Sequence, residues 1–119
     1  MSFPSMMYSY FNSFGINGYL EDNIPQGAEL PYITYPLIST DNFDKTPFNI
    51  KVYYSGTSVV PCFNKAQEIL KNIGNGKTFK DENILITLFK GNTPLQVTSL
   101  DEVMLGYIQT EINVVELPQ

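Results

Sequence analysis

The chain has 119 residues, of which 43% are hydrophobic, 13% aromatic and 16% charged, with a net charge of −5 and one cysteine. That length fits one domain, residues 1–119, with a core of its own, and the lone Cys62 excludes an internal disulfide. Seven scattered basic residues against twelve acidic ones argue against a nucleic-acid ligand, and charge well below the usual quarter points to surface covered by partners.

The opening "MSFPSMMYSYFNSF" lacks the basic start and unbroken apolar run of a signal peptide. No apolar run reaches the ~20 residues needed to span a membrane, so the expectation is a soluble protein made in a cytoplasm. Within this opening, Met7, Tyr10, Phe11 and Phe14 recur at helical spacing, which predicts a helix over Ser5–Phe14. Ser5 is its candidate N-cap and Gly15 its stop. The helix lacks the Lys and Arg of a membrane-surface helix and is read as packing against the core or a partner.

"GINGYLEDNIPQGAE" reads as an irregular loop because Gly, Asn, Asp and Pro crowd it. "LPYITYPL" follows as a strand over Pro31–Ile38, with a proline near each end. Prolines favour sheet edges, so this strand is expected to have one side without a partner in its own chain. The loop "STDNFDKTP" leads to "FNIKVYYS", where Phe48, Ile50, Val52 and Tyr54 share one face and Asn49, Lys51 and Tyr53 the other. The two strands are expected to pair as a hairpin with a long tip.

Val59–Ile73 is the second helix, with Thr57 or Ser58 as cap, Pro61 in the first turn and "GNG" at 74–76 as the stop. Its predicted apolar stripe is Val59, Phe63, Ala66, Leu70 and Ile73. "NILITLFKG" is apolar on both sides and reads as a central strand covered on both faces. "KGNTP" reads as a turn, after which "LQVTSL" returns as a strand. Val103–Glu116 ends the chain as a long strand with Met104, Ile108, Ile112 and Val114 on its buried face. The order α-β-β-α-β-β-β implies an α+β fold, with two helices on one face of a mainly antiparallel or mixed sheet.

The chemical inventory is sparse. There is no histidine, and one cysteine builds no thiolate metal site. Cys62, near a helix N-terminus, could be a nucleophile, but it lacks a histidine base and reads better as buried and inert. "GNGKT" at 74–78 resembles the end of a phosphate-binding loop, yet it follows a helix instead of opening one. Asp81-Glu82 and Asp101-Glu102 would have to converge in a cleft to hold a metal or act as an acid pair; solvated turn charges are the simpler reading. Tyr32, Tyr35, Tyr53 and Tyr54 form either a stacking platform for single-stranded nucleic acid or packing and interface surface; the shortage of nearby cations favours the second. No catalytic, cofactor or metal residue is assigned.

One resemblance adds to this reading. "IPQGAELPYITYPL", "IKVYYSGTSV", "KAQEILKNIGNGKTF" and "GNTPLQV" occur in that order. The series resembles the tail terminator proteins of long-tailed bacteriophages and related tail-like particles, over roughly Phe14–Glu116. Pro31–Tyr35 after the Ile24–Gly27 loop is its most recognisable part; Leu95 departs from it, where many similar chains carry an aromatic. The resemblance implies a small α+β subunit that forms a hexameric ring, caps the head-proximal end of the tail tube, ends tube polymerisation and joins tail to head. It implies no enzyme activity and no cofactor. The implied partners are further copies of the chain, the tail tube protein and a head-completion or neck protein, with the sheath as a further candidate. The implied location is the virion tail, assembled in the bacterial host cytoplasm, with DNA passing through the ring without specific binding. A head-completion or connector adaptor is the alternative, and a small metal-using enzyme a third.

For assembly, the candidate interface residues are Tyr32 and Tyr35, which supply area, and Phe43, Asp44 and Lys45 in the loop Ser39–Pro47, with Phe43 as anchor. The alternative for the two tyrosines is ordinary packing inside the chain.

Overall fold

The computed structural model describes residues 3–38 and 45–117; the side chains of Thr93 and Pro94 are outside that description. Two helices and six strands follow in the order α1 (Phe3–Phe11), β1 (Asn17–Leu20), β2 (Tyr32–Tyr35), β3 (Thr46–Ser55), α2 (Val60–Ile73), β4 (Lys77–Lys80), β5 (Ile84–Leu100) and β6 (Val103–Glu116). The strands form one mixed sheet in the order β1-β2-β3-β6-β5-β4. This is the expected α+β fold with its expected element order, enlarged by two short strands.

Alternation along the strands puts one face of the sheet under both helices. On that face Ile33 and Tyr35 of β2, Phe48, Ile50 and Val52 of β3, Ile108 and Ile112 of β6, and Ile86 and Leu88 of β5 are all buried. The register sets them side by side: Ile33 faces Val52, Ile50 faces Ile108, and Leu88 faces Ile112. α1 inserts Phe3, Met7 and Phe11 onto this surface, and α2 adds Cys62, Ala66, Ile69 and Ile73. Two polar contacts tie the helical layer together. The Tyr10 hydroxyl donates to Asn72 Oδ1 at 2.8 Å, and Lys65 Nζ donates to the Phe14 carbonyl at 2.6 Å.

Several local expectations are corrected. The first helix starts at Phe3, so Ser5 lies inside it; it closes through a 3-10 turn, Asn12–Phe14, onto Gly15 at φ 86°. The loop after it contains β1, which pairs parallel with β2. β2 is therefore an inner strand, flanked by β1 and β3. Pro31 and Pro36 stand just outside it, where no ladder N–H is missed. Val59, just before α2, and Phe63 within it are exposed, at 48% and 40%, while Cys62 and Ile69 are buried. The reason is space: only small side chains fit where α2 crosses Gly106, whose added Cβ would lie 3.1 Å from Cys62 Sγ and 3.3 Å from Ala66 Cβ. The helix turns its small residues inward and leaves Phe63 at the rim. Its stop is as expected, with the Gly74 N–H donating to the Leu70 carbonyl at 3.0 Å.

"LQVTSL" does not return. It continues in line with "NILITLFKG" as one strand, β5, and both halves pair with β6. Between Lys90 and Leu95 four residues bulge opposite the single Gln109. Gly91 permits this, because a Cβ there would come 2.9 Å from the Gln109 carbonyl oxygen. β5 is covered by helices on one face only, with Ile84, Ile86 and Leu88 buried and Leu85, Thr87 and Phe89 half-buried. The long β5–β6 pair gives the molecule its 50 Å axis, against 32 and 20 Å across. Among the described residues no helix is long and apolar enough to cross a membrane.

Candidate functional site: an uncovered tyrosine face and an unguarded edge

Among the described residues no helix packs on the face of the sheet opposite α1 and α2, and its side chains are half-buried by one another. Strand alternation puts Tyr19, Tyr32, Lys51, Tyr53, Leu105 and Tyr107 on it. Tyr19 and Tyr32 meet edge to face with centroids 5.7 Å apart, and Tyr32 and Tyr53 follow at 5.1 Å. Burial raises the Tyr32 hydroxyl above its ordinary pKa, and the neighbouring Tyr53 and Tyr19 hydroxyls add to the effect. Lys51 lies on the same face, two residues along β3 from Tyr53. Thr34, in the same region, is buried and its Oγ1 has no hydrogen-bond partner among the described residues. The far half of the face is more polar: Asn49 faces Gln109, and Glu111 faces Phe89.

The sequence-named residues separate here. Tyr32 lies on the uncovered face with Tyr53. Tyr35 points the other way, is 1% exposed, and stacks on Phe11, so within this chain it is core and offers no surface to a neighbour. Tyr54 also belongs to the helix-covered side, packed against the core. The four tyrosines named together therefore build no single platform. Phe43 and Asp44 lie outside the described residues. Lys45 is exposed and sets Nζ 4.3 Å from the centre of the Phe89 ring, at the opposite end of β3 from Tyr53. Tyr19 and Tyr107 were not named from the sequence. The alternation that placed Tyr53 beside Lys51 carried the signal for Tyr107; Tyr19 sat in a segment read as loop.

The sheet edges differ in how they are closed. At β1 the Asn12 side-chain amide clamps the outward backbone of Gly18. It accepts from the Gly18 N–H at 3.0 Å and donates to the Gly18 carbonyl at 3.1 Å. The next outward carbonyl, Leu20, accepts from the Asn23 N–H at 2.9 Å. β4 is four residues long and bracketed by Lys77 and Lys80, a common way to blunt an edge. It covers β5 only from Leu85 to Leu88. Beyond it, the outer side of Leu95–Leu100 has no strand neighbour among the described residues. A concavity of about 530 Å³ runs beside this stretch, lined by Gln96, Val97, Thr98, Leu105 and Tyr107.

The remaining chemical candidates stay apart. Cys62 is buried with its thiol directed at the Val52 carbonyl, 3.4 Å away, and burial pushes its pKa up. That is the reverse of an activated thiolate. Asp81 accepts from the Asn83 and Ile84 N–H groups in its own turn, while Asp101 and Glu102 occupy the β5–β6 turn at the opposite end of β5. Lys77 and Thr78 of "GNGKT" enter β4 and open no helix. Among the described residues, no three His, Cys, Asp or Glu side chains gather into a metal-sized group.

Comparison with protein-family models, with curated proteins and with solved structures finds no match to this chain.

Proposed function

We propose that the chain is a structural assembly subunit, a tail-terminator-like protein whose ring caps the head-proximal end of a phage tail tube and joins it to the head. The observation that carries this reading is the half-buried tyrosine face, Tyr19-Tyr32-Tyr53, on which no helix packs among the described residues, in a chain with only 16% charged residues. Tyrosine buries large area while keeping a polar end, which suits contacts between subunits. The ordered series of segments from Ile24 to Val97 supports the same reading. A closed ring needs heterologous contacts, and the two sheet faces and the two edges of this subunit are chemically different. Its place would be the virion tail, and its partners further copies of itself, tube protein and a neck protein.

The test is to mix the purified chain with tube protein and image the products. Rings at tube ends and shortened tubes are expected. A chain that neither binds tube ends nor changes tube length overturns the proposal. If it binds portal or head components and leaves tube length unchanged, the connector reading replaces it.

A further inference from the structure

Among the described residues the outer edge of Leu95–Leu100 is an open sheet edge without the usual guards. The sequence "LQVTSL" carries no charge and no proline. Nothing described clamps its outward backbone, whereas β1 is closed by Asn12 and Asn23 and β4 by its length and lysines. An edge of this kind is a template for pairing with another strand. The charges beyond its two ends are opposite. Past Leu100 come Asp101 and Glu102, both exposed; before Leu95, across the bulge, stand exposed Lys90 and half-exposed Lys77.

We infer that this edge pairs antiparallel with the same edge of a second copy, forming a two-fold dimer in chains that are not part of a larger assembly. Antiparallel self-pairing lays the Asp101-Glu102 turn of each copy toward Lys90 and Lys77 of the other, twice per dimer. Parallel alignment would set the two acidic turns side by side. A two-fold axis normal to the sheet keeps both helical layers on one side. It therefore centres the pairing on a residue facing its own copy, Val97 or Thr98. With Thr98 at the centre, Thr98 meets Thr98 and Gln96 meets Leu100, and no like charges oppose one another, as a stable cross-strand set requires. Leu100, which is 51% exposed in the single chain, gains a neighbour. The concavity beside Gln96, Thr98 and Tyr107 is where the added strand's open-face side chains would settle. The contact is isologous and so distinct from the heterologous contacts of a ring. It does not depend on the ring proposal.

The test uses the full chain. Thr98→Cys, treated with a short bis-maleimide, is expected to give covalent dimer from this one variant, because an isologous contact brings the residue to its own copy. Wild type, whose Cys62 is buried, should give none. In sedimentation, wild type is expected to form dimer, and Thr98→Lys, at an exposed position, to lose it while melting like wild type diluted to monomer. Lys90→Glu and Glu102→Lys should each weaken the dimer, and the double variant should recover it. A Thr98→Cys chain that does not cross-link while wild type is dimeric, or a Thr98→Lys chain that dimerises like wild type, overturns the inference. So does a wild type that is monomeric throughout. Tube capping is scored separately. Thr98→Lys that caps tubes while failing to dimerise supports the edge contact and leaves the ring reading intact. Loss of capping by wild type itself counts against the ring alone.

Discussion

Phe11 of α1 stacks on Tyr35 of β2, with ring centroids 4.6 Å apart and planes 20° from parallel. Both side chains are essentially inaccessible, and Phe48 continues the stack 6.2 Å from Phe11. The contact fastens the first helix to a strand that reads, from its tyrosines and prolines, like surface. Phe11→Ala is expected to cost about 3–5 kcal/mol, in the range for large aromatic truncations in a core. Urea unfolding measures it. A double-mutant cycle with Tyr35→Leu should return a coupling of about 0.5–1.5 kcal/mol for the ring pair beyond area burial.

The Asn12 clamp on Gly18 makes a separate expectation. Asn12→Ala leaves an outward N–H and carbonyl at β1 without their amide partner, at a cost of about 1–3 kcal/mol. Asn12→Asp keeps the acceptor for the Gly18 N–H but loses the donor to its carbonyl, so it should fall between wild type and Asn12→Ala. Amide exchange at Gly18 reads the same change locally; unchanged protection there in Asn12→Ala would remove the clamp from the account.

Gly106 is where β6 passes under α2, and the nearest atoms to an added Cβ are Cys62 Sγ at 3.1 Å and Ala66 Cβ at 3.3 Å. Gly106→Ala is expected to destabilise by about 1–3 kcal/mol, the usual penalty for overpacking. Removing the sulfur should recover part of that loss, so Gly106→Ala with Cys62→Ala should be less destabilising than the two single costs added. Strict additivity would show that the contact is relieved by backbone movement instead. The same burial predicts that the Cys62 thiol reacts with a thiol reagent only after unfolding.

Tyr10 is buried, its hydroxyl donates to Asn72, and burial raises its pKa well above the usual tyrosine value. Above pH ~10 the unfolded chain loses this proton while the folded chain keeps it. The unfolded state then binds fewer protons, so stability falls as pH rises, by up to about 1.4 kcal/mol per pH unit for one such group. Below that pH the contribution is fully present. Tyr10→Phe should cost about 0.5–1.5 kcal/mol at neutral pH through the lost hydrogen bond. It should also flatten the alkaline fall measured by unfolding between neutral pH and pH ~11; an unchanged slope would assign the fall to other tyrosines.

Much of the fold was legible because its signals are local. Phe48, Ile50 and Val52 alternate in β3, Met104 to Val114 alternate in β6, and the glycines after Ile73 stop α2. These patterns arise from the two-residue and 3.6-residue repeats of the backbone and need no knowledge of neighbours. β1 escaped because Asn17-Gly18 carries turn chemistry. Its strand state depends on Asn12 and β2, which supply partners for both of its sides. β4 escaped for a similar reason, since "KTFK" is too short to show a period and exists as a strand by pairing with β5.

The candidate site divides along the same line. Sequence alone determined the composition: few charges, many tyrosines, no histidine, and prolines bracketing "YITY". Tertiary structure decided which tyrosines face outward, because that depends on which side of the sheet the helices occupy. It sent Tyr35 inward and left Tyr32 outside. It also moved the open edge from β2, where the prolines suggested it, to the outer side of Leu95–Leu100. An edge is a property of strand order, and strand order is set by contacts between residues far apart in the chain. Here that meant β1 closing one side of β2 while β4 stopped short of Leu95 on β5.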